Sequence, residues 1–422
     1  LASFTSTILF IQMLVRSLLV CATVVLCAPC VYTQGPQQCP APNTITPCTC
    51  TVKKNGLDIL CEFTEQQHIQ KAMNALRAKP MIIFYLKLRH NNLAKLPSYI
   101  FLGLDIRHLT VHNSSLAVIE DSSLSSIGNK LTQLDVSQNS LATIPTSSFA
   151  HLNHLLILNM NHNKVTAVHN RAFIGLDTIE ILTLYENRIS VVDGEAFKGL
   201  EKKLKRLNLG GNELTAVPQK ALALLENLKK LEMQENRIAS ISEGDFAGLR
   251  NLDSLGLAHN QLREVPSQVF SHLNFLNSLE LEGNQIQRID ENAFSGLEEN
   301  LQYLIHQLPT MGFDNLNSLE TLNLQNNKLQ HIPEEIMEPI LDTLRVVDIM
   351  DNPLICDCEL AWYEAWLAGL RDRDDEMMQK KRTVCTMVSE HREYSVAKMP
   401  LERMNSIGDY KNNVAANILF LL

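Results

Sequence analysis

Between Cys61 and Cys356 this chain contains no cysteine. The long middle therefore has neither disulfide staples nor thiolate metal ligands, and packing alone must hold it. Basic residues do not cluster: 37 lysines and arginines against 46 acidic residues, a net charge of −9, are spread along 422 positions. A basic stripe for nucleic acid and a polybasic membrane patch are both missing, so no nucleic-acid partner is expected. No phosphate-cradling glycine loop, dinucleotide fingerprint or zinc-protease motif occurs, and the run "DRDDE", Asp372 to Glu376, lacks the glycine and spacing of a calcium loop. These absences leave no cofactor and no metal to expect.

What is present is 45% hydrophobic residues, enough for a large buried core. The ten cysteines sit at the ends: Cys21, Cys27, Cys30, Cys39, Cys48, Cys50 and Cys61, then Cys356, Cys358 and Cys385. Such end clusters suit an extracellular, disulfide-permissive compartment in which terminal caps are stapled. From Met13, "MLVRSLLVCATVVLCAPCVYT" carries one positive charge, Arg16, and then an apolar run to about Ala28. That is a signal-peptide profile, with cleavage after Cys30 or Thr33, and it makes residues 1–33 upstream sequence plus signal. The rival is an uncleaved anchor, which needs about 20 apolar residues. The closing "VAANILFLL", within a tail at 407–422, is too short to span a bilayer, so a membrane tether is not evident.

The middle repeats itself. "LTQLDVSQNSLATIPTSSFAHL" from Leu131, "LLILNMNHNKVTAVHNRAFIGL" from Leu155 and "LDSLGLAHNQLREVPSQVFSHL" from Leu252 are versions of one unit, LxxLxLxxNxLxxIPxxxFxxL. Further copies start at Ile83, Ile106, Ile179, Leu204, Leu228, Leu276, Leu301, Leu319 and Leu344, twelve in all at a period of about 24 residues. The LxL core reads as a short strand pairing in parallel with its neighbours, leucines inward and intervening residues outward. An asparagine follows where the chain turns and its backbone groups need partners: Asn91, Asn139, Asn163, Asn187, Asn212, Asn236, Asn260, Asn284, Asn327 and Asn352, with Ser114 in the second copy. Phe101, Phe149, Phe173, Phe197, Phe246, Phe270 and Phe294 predict a second buried stack on the opposite side. Strands on one side and looser segments on the other make the stack curve, so the expected fold is an α/β solenoid, a horseshoe with a parallel sheet on its concave face.

One copy is short. From Leu301 to Leu319 there are 18 residues, and Phe313 follows Leu301 by 12 instead of 18. One "LxxNxL" is absent: the strand's second half, the asparagine and the turn leucine. The gap equals six residues, or six plus whole repeats, and reads either as an omission from the encoded chain or as an irregular coil that bends the solenoid or breaks its sheet.

A solenoid exposes apolar surface at both ends and needs caps. "CPAPNTITPCTCTVKKNGLDILC", Cys39 to Cys61, and "NPLICDCELAWYEAW" followed by Cys385 carry cap-like spacing. With these motifs the chain resembles extracellular leucine-rich-repeat proteins with cysteine-rich flanks, the class that includes Slit, chaoptin, the acid-labile subunit and decorin-like proteins. The resemblance covers about 39–406 and divides it into an N-terminal cap (34–82), repeats (83–343, one truncated at 301–318) and a last repeat with C-terminal cap (344–406). It implies pairing of Cys39 with Cys50, Cys48 with Cys61 and Cys356 with Cys385; spacing alone permits three connectivities in the first cap. It also implies a fourth partner, for Cys358, near Ser406, where this chain has no cysteine.

Outward strand residues should form columns about 5 Å apart between neighbours. One runs Lys87, Thr110, Asp135, Asn159, Thr183, Asn208, Glu232, Gly256, Glu280; the next runs Arg89, His112, Ser137, Asn161, Tyr185, Gly210, Gln234, Ala258, Glu282. His112, Ser137 and Asp135 fall together, but an open face without oxyanion donors argues against a hydrolase. His108 and His112 lie about 13 Å apart along a strand, too far to share one ion. What the columns show is a gradient: Lys87, Arg89, His90, His108 and His112 basic, then Ile157, Ile181 and Tyr185 apolar, then Glu232, Glu235, Glu280 and Glu282 acidic. That arrangement suits a protein-binding face. Asn113-Ser114-Ser115 is a glycosylation sequon beside a turn. The class resemblance implies a secreted or cell-surface, non-enzymatic binding protein for an extracellular protein or matrix ligand, with adhesion or matrix organisation as its role. The alternative is a non-catalytic subunit of a secreted enzyme complex, and homodimerisation is compatible with either. Limited proteolysis should cut first between Leu281 and Leu322, where a ladder asparagine is lacking; cleavage elsewhere with this segment intact would contradict that.

Overall fold

The computed structural model describes residues 38–297 except 287 and 291, together with 303–305, 316, 318–323, 325, 332, 334–338, 340–357, 360–369, 383–388 and 390–398. The signal segment, the tail, Asp372 to Glu376, Cys358, His306, Phe313 and Asn327 lie outside the described residues. Cys39–Leu422 forms one compact unit.

Among the described residues one 14-stranded sheet runs the length of this unit. Its strands are β1 (Thr49–Lys53), β2 (Gly56–Glu62), β3 (Ile82–Arg89), β4 (Asp105–His112), β5 (Gln133–Asp135), β6 (Ile157–Asn159), β7 (Ile181–Thr183), β8 (Arg206–Asn208), β9 (Lys230–Glu232), β10 (Ser254–Gly256), β11 (Ser278–Glu280), β12 (Tyr303–Ile305), β13 (Thr321–Asn323) and β14 (Val346–Asp348). From β2 onward every pairing is parallel and follows chain order. Equivalent leucines sit side by side, Leu134 with Leu158 and Leu182 with Leu207. Each is fully buried, and their flanking strand residues are mostly half-buried. A slip of one residue would turn the leucines to solvent, so the register is fixed by burial.

The asparagines do what a buried turn requires. Asn187 Nδ2 donates to Met160 O and Leu184 O, both at 3.0 Å, and its Oδ1 accepts the Val165 N–H at 3.1 Å. One side chain thus pairs backbone groups of two consecutive coils. Asn163, Asn212, Asn236 and Asn260 repeat the set. Ser114 manages with less: its Oγ accepts the Asn91 N–H, while the Leu93 N–H, lacking an amide oxygen, goes to the Ser114 carbonyl. The residue just before each ladder position is left-handed, with φ of 52° at His90, 53° at His162, 50° at Glu186 and 57° at Glu235. Side chains there are strained, and the ladder bonds on either side hold them.

The opposite flank is filled by the expected phenylalanines, all buried. Phe173 and Phe197 stack at 6.1 Å between centroids, as do Phe246 and Phe270 at 5.9 Å; Leu222 fills the place between the two runs.

Both caps pair their cysteines as the resemblance implied: Cys39 with Cys50, Cys48 with Cys61, Cys356 with Cys385. β1 is antiparallel to β2 and covers the first edge of the parallel sheet. The helix Gln66–Leu76 buries Ile69, Ala72, Met73 and Leu76, one face at helical spacing. Arg77 just beyond it donates to Tyr99 O and Ile100 O at 2.9 and 2.7 Å, tying cap to repeats. At the other end the helix Ala361–Gly369 carries Trp362, whose indole N–H donates to Ile332 O, and Tyr363, whose hydroxyl donates to Val347 O.

The short coil does not break the sheet, which corrects that part of the irregular-coil expectation. β12 pairs in register with β11 on one side and β13 on the other. The physical reason is where the residues are lost: the missing hexapeptide lies after the third strand position, so the three pairings survive.

Removing the Asn187 amide orphans the buried Val165 N–H and takes one of two donors from Met160 O and Leu184 O, which keep Asn163 and Asn212. Asn187→Ala should cost about 3 kcal/mol, one buried unsatisfied group costing about 1–3 kcal/mol. Asn113→Ala, at an exposed side chain whose left-handed backbone suits alanine less well than asparagine, should cost about 1 kcal/mol. Urea denaturation of both variants checks the contrast.

Candidate functional face

The strand-lined face carries its side chains where the repeat puts them. The first outward column forms without interruption: Lys87 faces Thr110, Thr110 faces Asp135, and the pairing continues through Asn159, Thr183, Asn208, Glu232 and Gly256 to Glu280. The second is carried by backbone bonds one residue further on, such as His162 N–H to Tyr185 O and His259 N–H to Glu282 O. A third, ahead of these, runs His108, Gln133, Ile157, Ile181, Arg206, Lys230.

At the N-terminal end lies a depression of 470 Å³ whose lining includes Arg89, His90, His112, Asp135, Ser137 and His162. His112 Nδ1 and Ser137 Oγ are 2.9 Å apart, and Asp135 Oδ1 accepts the Ser137 N–H at 2.9 Å. Burial lowers the His112 pKa from 6.5; Asp135 opposes this, while Arg89, His90 and His162 reinforce it. His108 Nδ1 meets Gln133 Oε1 at 2.7 Å and packs on Phe84 and Tyr85. Lys87 is not free: it pairs with Asp58 at 2.9 Å and sits over the Tyr85 ring.

In the middle, Ile157 and Ile181 are register neighbours and Tyr185 stands edge-on to His162 at 5.8 Å. All three are half-buried, less open than the sequence suggested, because column neighbours about 5 Å away cover their flanks. The Tyr185 hydroxyl donates to Glu235 Oε2 at 3.0 Å, across two coils, and burial with that carboxylate raises its pKa to about 12.

Toward the C-terminal end the acidic group divides. Arg206 grips Glu232 with two bonds, 2.9 and 3.1 Å, and Lys230 lies 3.4 Å away, so Glu232 is neutralised in place. Its partners belong to the third column, which strand counting in two columns had missed. Glu280 and Glu282 differ. Burial raises the pKa of both, with Glu232 adding to the shift at Glu280 and Glu280 adding to it at Glu282. Gln234 Oε1 and Glu280 Oε2 lie 3.2 and 3.4 Å from where a Gly256 side chain would begin, so the small residue makes room for both.

Asn113 is exposed and left-handed, its amide 3.0 Å from His90 Nδ1. Among the described residues no three His, Cys, Asp or Glu side chains gather as a metal site. His90, His162, Glu186 and Glu235 belong to the left-handed column, which sequence reading overlooked as a set; its signal is the residue before each ladder asparagine.

In-phase parallel strands, a buried asparagine ladder and disulfide caps define a solenoid that presents a broad polar sheet. Family models described as leucine-rich repeat match residues 105–165, 129–189, 154–202, 177–222, 202–262 and 250–305, with a single repeat at 318–338. The chain belongs to the leucine-rich-repeat family. Similar solved structures include an LRR protein of Leptospira interrogans, 24% identical, covering 68% of this chain and 75% of that one at a TM-score of 0.51. A chain of the glycosylated Drosophila Toll–Spatzle complex is 21% identical, with coverage of 76% and 52% and a TM-score of 0.54. A chain of the TLR13–ssRNA13 complex is 20% identical, with coverage of 74% and 56% and a TM-score of 0.53. This chain spans little more than half the length of the last two. Among the described residues no helix is long and apolar enough to cross a membrane.

The carboxyls at the acidic end bind protons more tightly folded than unfolded. Their contribution to stability is present below the ordinary glutamate value of 4.5 and is lost as pH rises through the higher folded values. Glu280→Gln with Glu282→Gln should therefore raise the melting temperature at pH 8 and flatten its fall between pH values near 4.5 and 8, read by thermal denaturation across that range.

Proposed function

We propose that this chain is a binding module, extracellular or at the cell surface, that takes a protein ligand on its strand-lined face and has no catalysis of its own. Adhesion, matrix organisation or ligand presentation is the role that its likeness to the Slit, chaoptin and decorin-like class favours. The observation that carries the reading is the contiguous surface from the Arg89–His112 depression, over Ile157, Ile181 and Tyr185, to Glu280 and Glu282. Apolar area in the centre supplies affinity, and the different polar groups at the two ends, guanidinium and imidazoles at one and carboxyls at the other, supply orientation. Three disulfides support an oxidising compartment, and Toll, a protein of the same fold, is known in complex with the protein Spatzle. Against a hydrolase, Asp135 is tied to the Ser137 backbone, and the depression is open.

The test uses wild type and the double variant Ile181→Ala/Tyr185→Ala as baits in extracellular fluid, with captured proteins read by mass spectrometry. A ligand held at this ledge should be lost at least tenfold from the double variant, central anchors being worth about 2 kcal/mol or more, while circular dichroism stays unchanged. Equal capture by both baits would move the ligand off the face.

A further inference from the structure

The depression at the N-terminal end has a chemical identity of its own. Three histidines from three coils, His90, His112 and His162, line it together with Arg89. Arg89 Nε is buried and has no hydrogen-bond partner, so a donor already withdrawn from water lacks an acceptor. The charges facing this group come from every neighbouring strand. Glu62 of β2 lies in register with Arg89, and Lys87 of β3 is held by Asp58. Asp135 of β5 faces the imidazole of His112, and Glu186 pairs with His162 at 2.6 Å. His108 on β4 is occupied by Gln133.

With neutral imidazoles Arg89 and Asp135 roughly cancel, and the basin attracts neither sign strongly. Protonation of His112 adds a positive charge that Arg89, His90 and His162 oppose. An anion seated in the depression would offset that repulsion and meet the Arg89 side chain that lines it.

We propose that this basin is a proton-coupled receptor for a carboxylate-bearing segment of a protein ligand, which it binds with uptake of a proton by His112. Asp135 and Glu186 disfavour a dense polyanion, whereas single carboxylates spaced along a peptide avoid them. His162 touches Tyr185, so the basin opens onto the apolar ledge. The favoured segment alternates acidic and apolar residues. His112 is held below the ordinary histidine value by burial, against the pull of Asp135 and with Arg89, His90 and His162 adding to the shift, and a ligand carboxylate offsets the last three. Each unit by which the anion raises one imidazole's pKa tightens binding about tenfold at acid pH.

The inference rests on the sheet face being the ligand surface, yet it is tested separately. The probe is a synthetic peptide of alternating glutamate and leucine, titrated calorimetrically into the full chain at pH 7.5 and 5.5 in two buffers of different ionisation heat. The expected result is about tenfold tighter binding at pH 5.5, with about one proton taken up. Arg89→Gln should weaken binding at both pH values by about tenfold. His112→Gln should remove the gain, so that this variant binds the peptide equally at pH 7.5 and 5.5. Equal binding of a glutamine-leucine peptide, affinity independent of pH, or tighter binding of a sulfated oligosaccharide or an RNA oligonucleotide at pH 5.5 would overturn the proposal. If the peptide fails while Ile181→Ala/Tyr185→Ala still loses its captured protein, the basin is wrong and the face is right. Peptide binding beside undiminished capture would show the reverse.

Discussion

Each coil of this protein turns back inside its own core, and a turn in the core leaves backbone donors and acceptors with no water to meet them. One asparagine amide per coil resolves this by reaching both its own coil and the one before it. Because Met160 O accepts from both Asn163 and Asn187, adjacent coils share partners. They cannot slide past one another without exposing buried polar groups. In-phase stacking, the columns on the sheet and the left-handed residues at its rim all follow from that shared hydrogen bonding.

The consequence for function is a surface whose side chains are spaced by the backbone. Columns advance one residue per coil, so a ligand meets a fixed lattice of positions, and specificity lies in what occupies them. Along this lattice the occupants change from imidazole and guanidinium, through two isoleucines and a tyrosine, to glycine, alanine and partly buried glutamates. The small residues Gly210, Gly256 and Ala258 lower the floor at the acidic end, and the side chains of Gln234 and Glu280 settle over it. Burial there raises the carboxyl pKa values, just as burial at the opposite end lowers that of His112.

Charge counted along the chain overstated the free charge on the face. Lys87 and Glu232 were both legible as face residues, and both are on it. Neither is available, because Asp58 from the cap and Arg206 from the third column already neutralise them. Asp58 precedes the first repeat, and Arg206 opens its strand, so no pattern within the unit announced either partner. His162 was invisible for another reason: it sits in a turn, and only its left-handed backbone swings it toward Tyr185.

Periodicity alone was enough to determine the repeat, the parallel register, the asparagine ladder, the phenylalanine stack and the membership of the first two outward columns, because each depends on spacing along the chain that burial then enforces. The cap disulfides followed from resemblance, not spacing. Which charges remain free, how far Ile157, Ile181 and Tyr185 stand out, and that Arg89 keeps an unpaired N–H beside three imidazoles were decided only in three dimensions. Those properties depend on contacts between coils roughly 24 residues apart, where side-chain reach and mutual covering, which periodicity does not encode, decide the outcome.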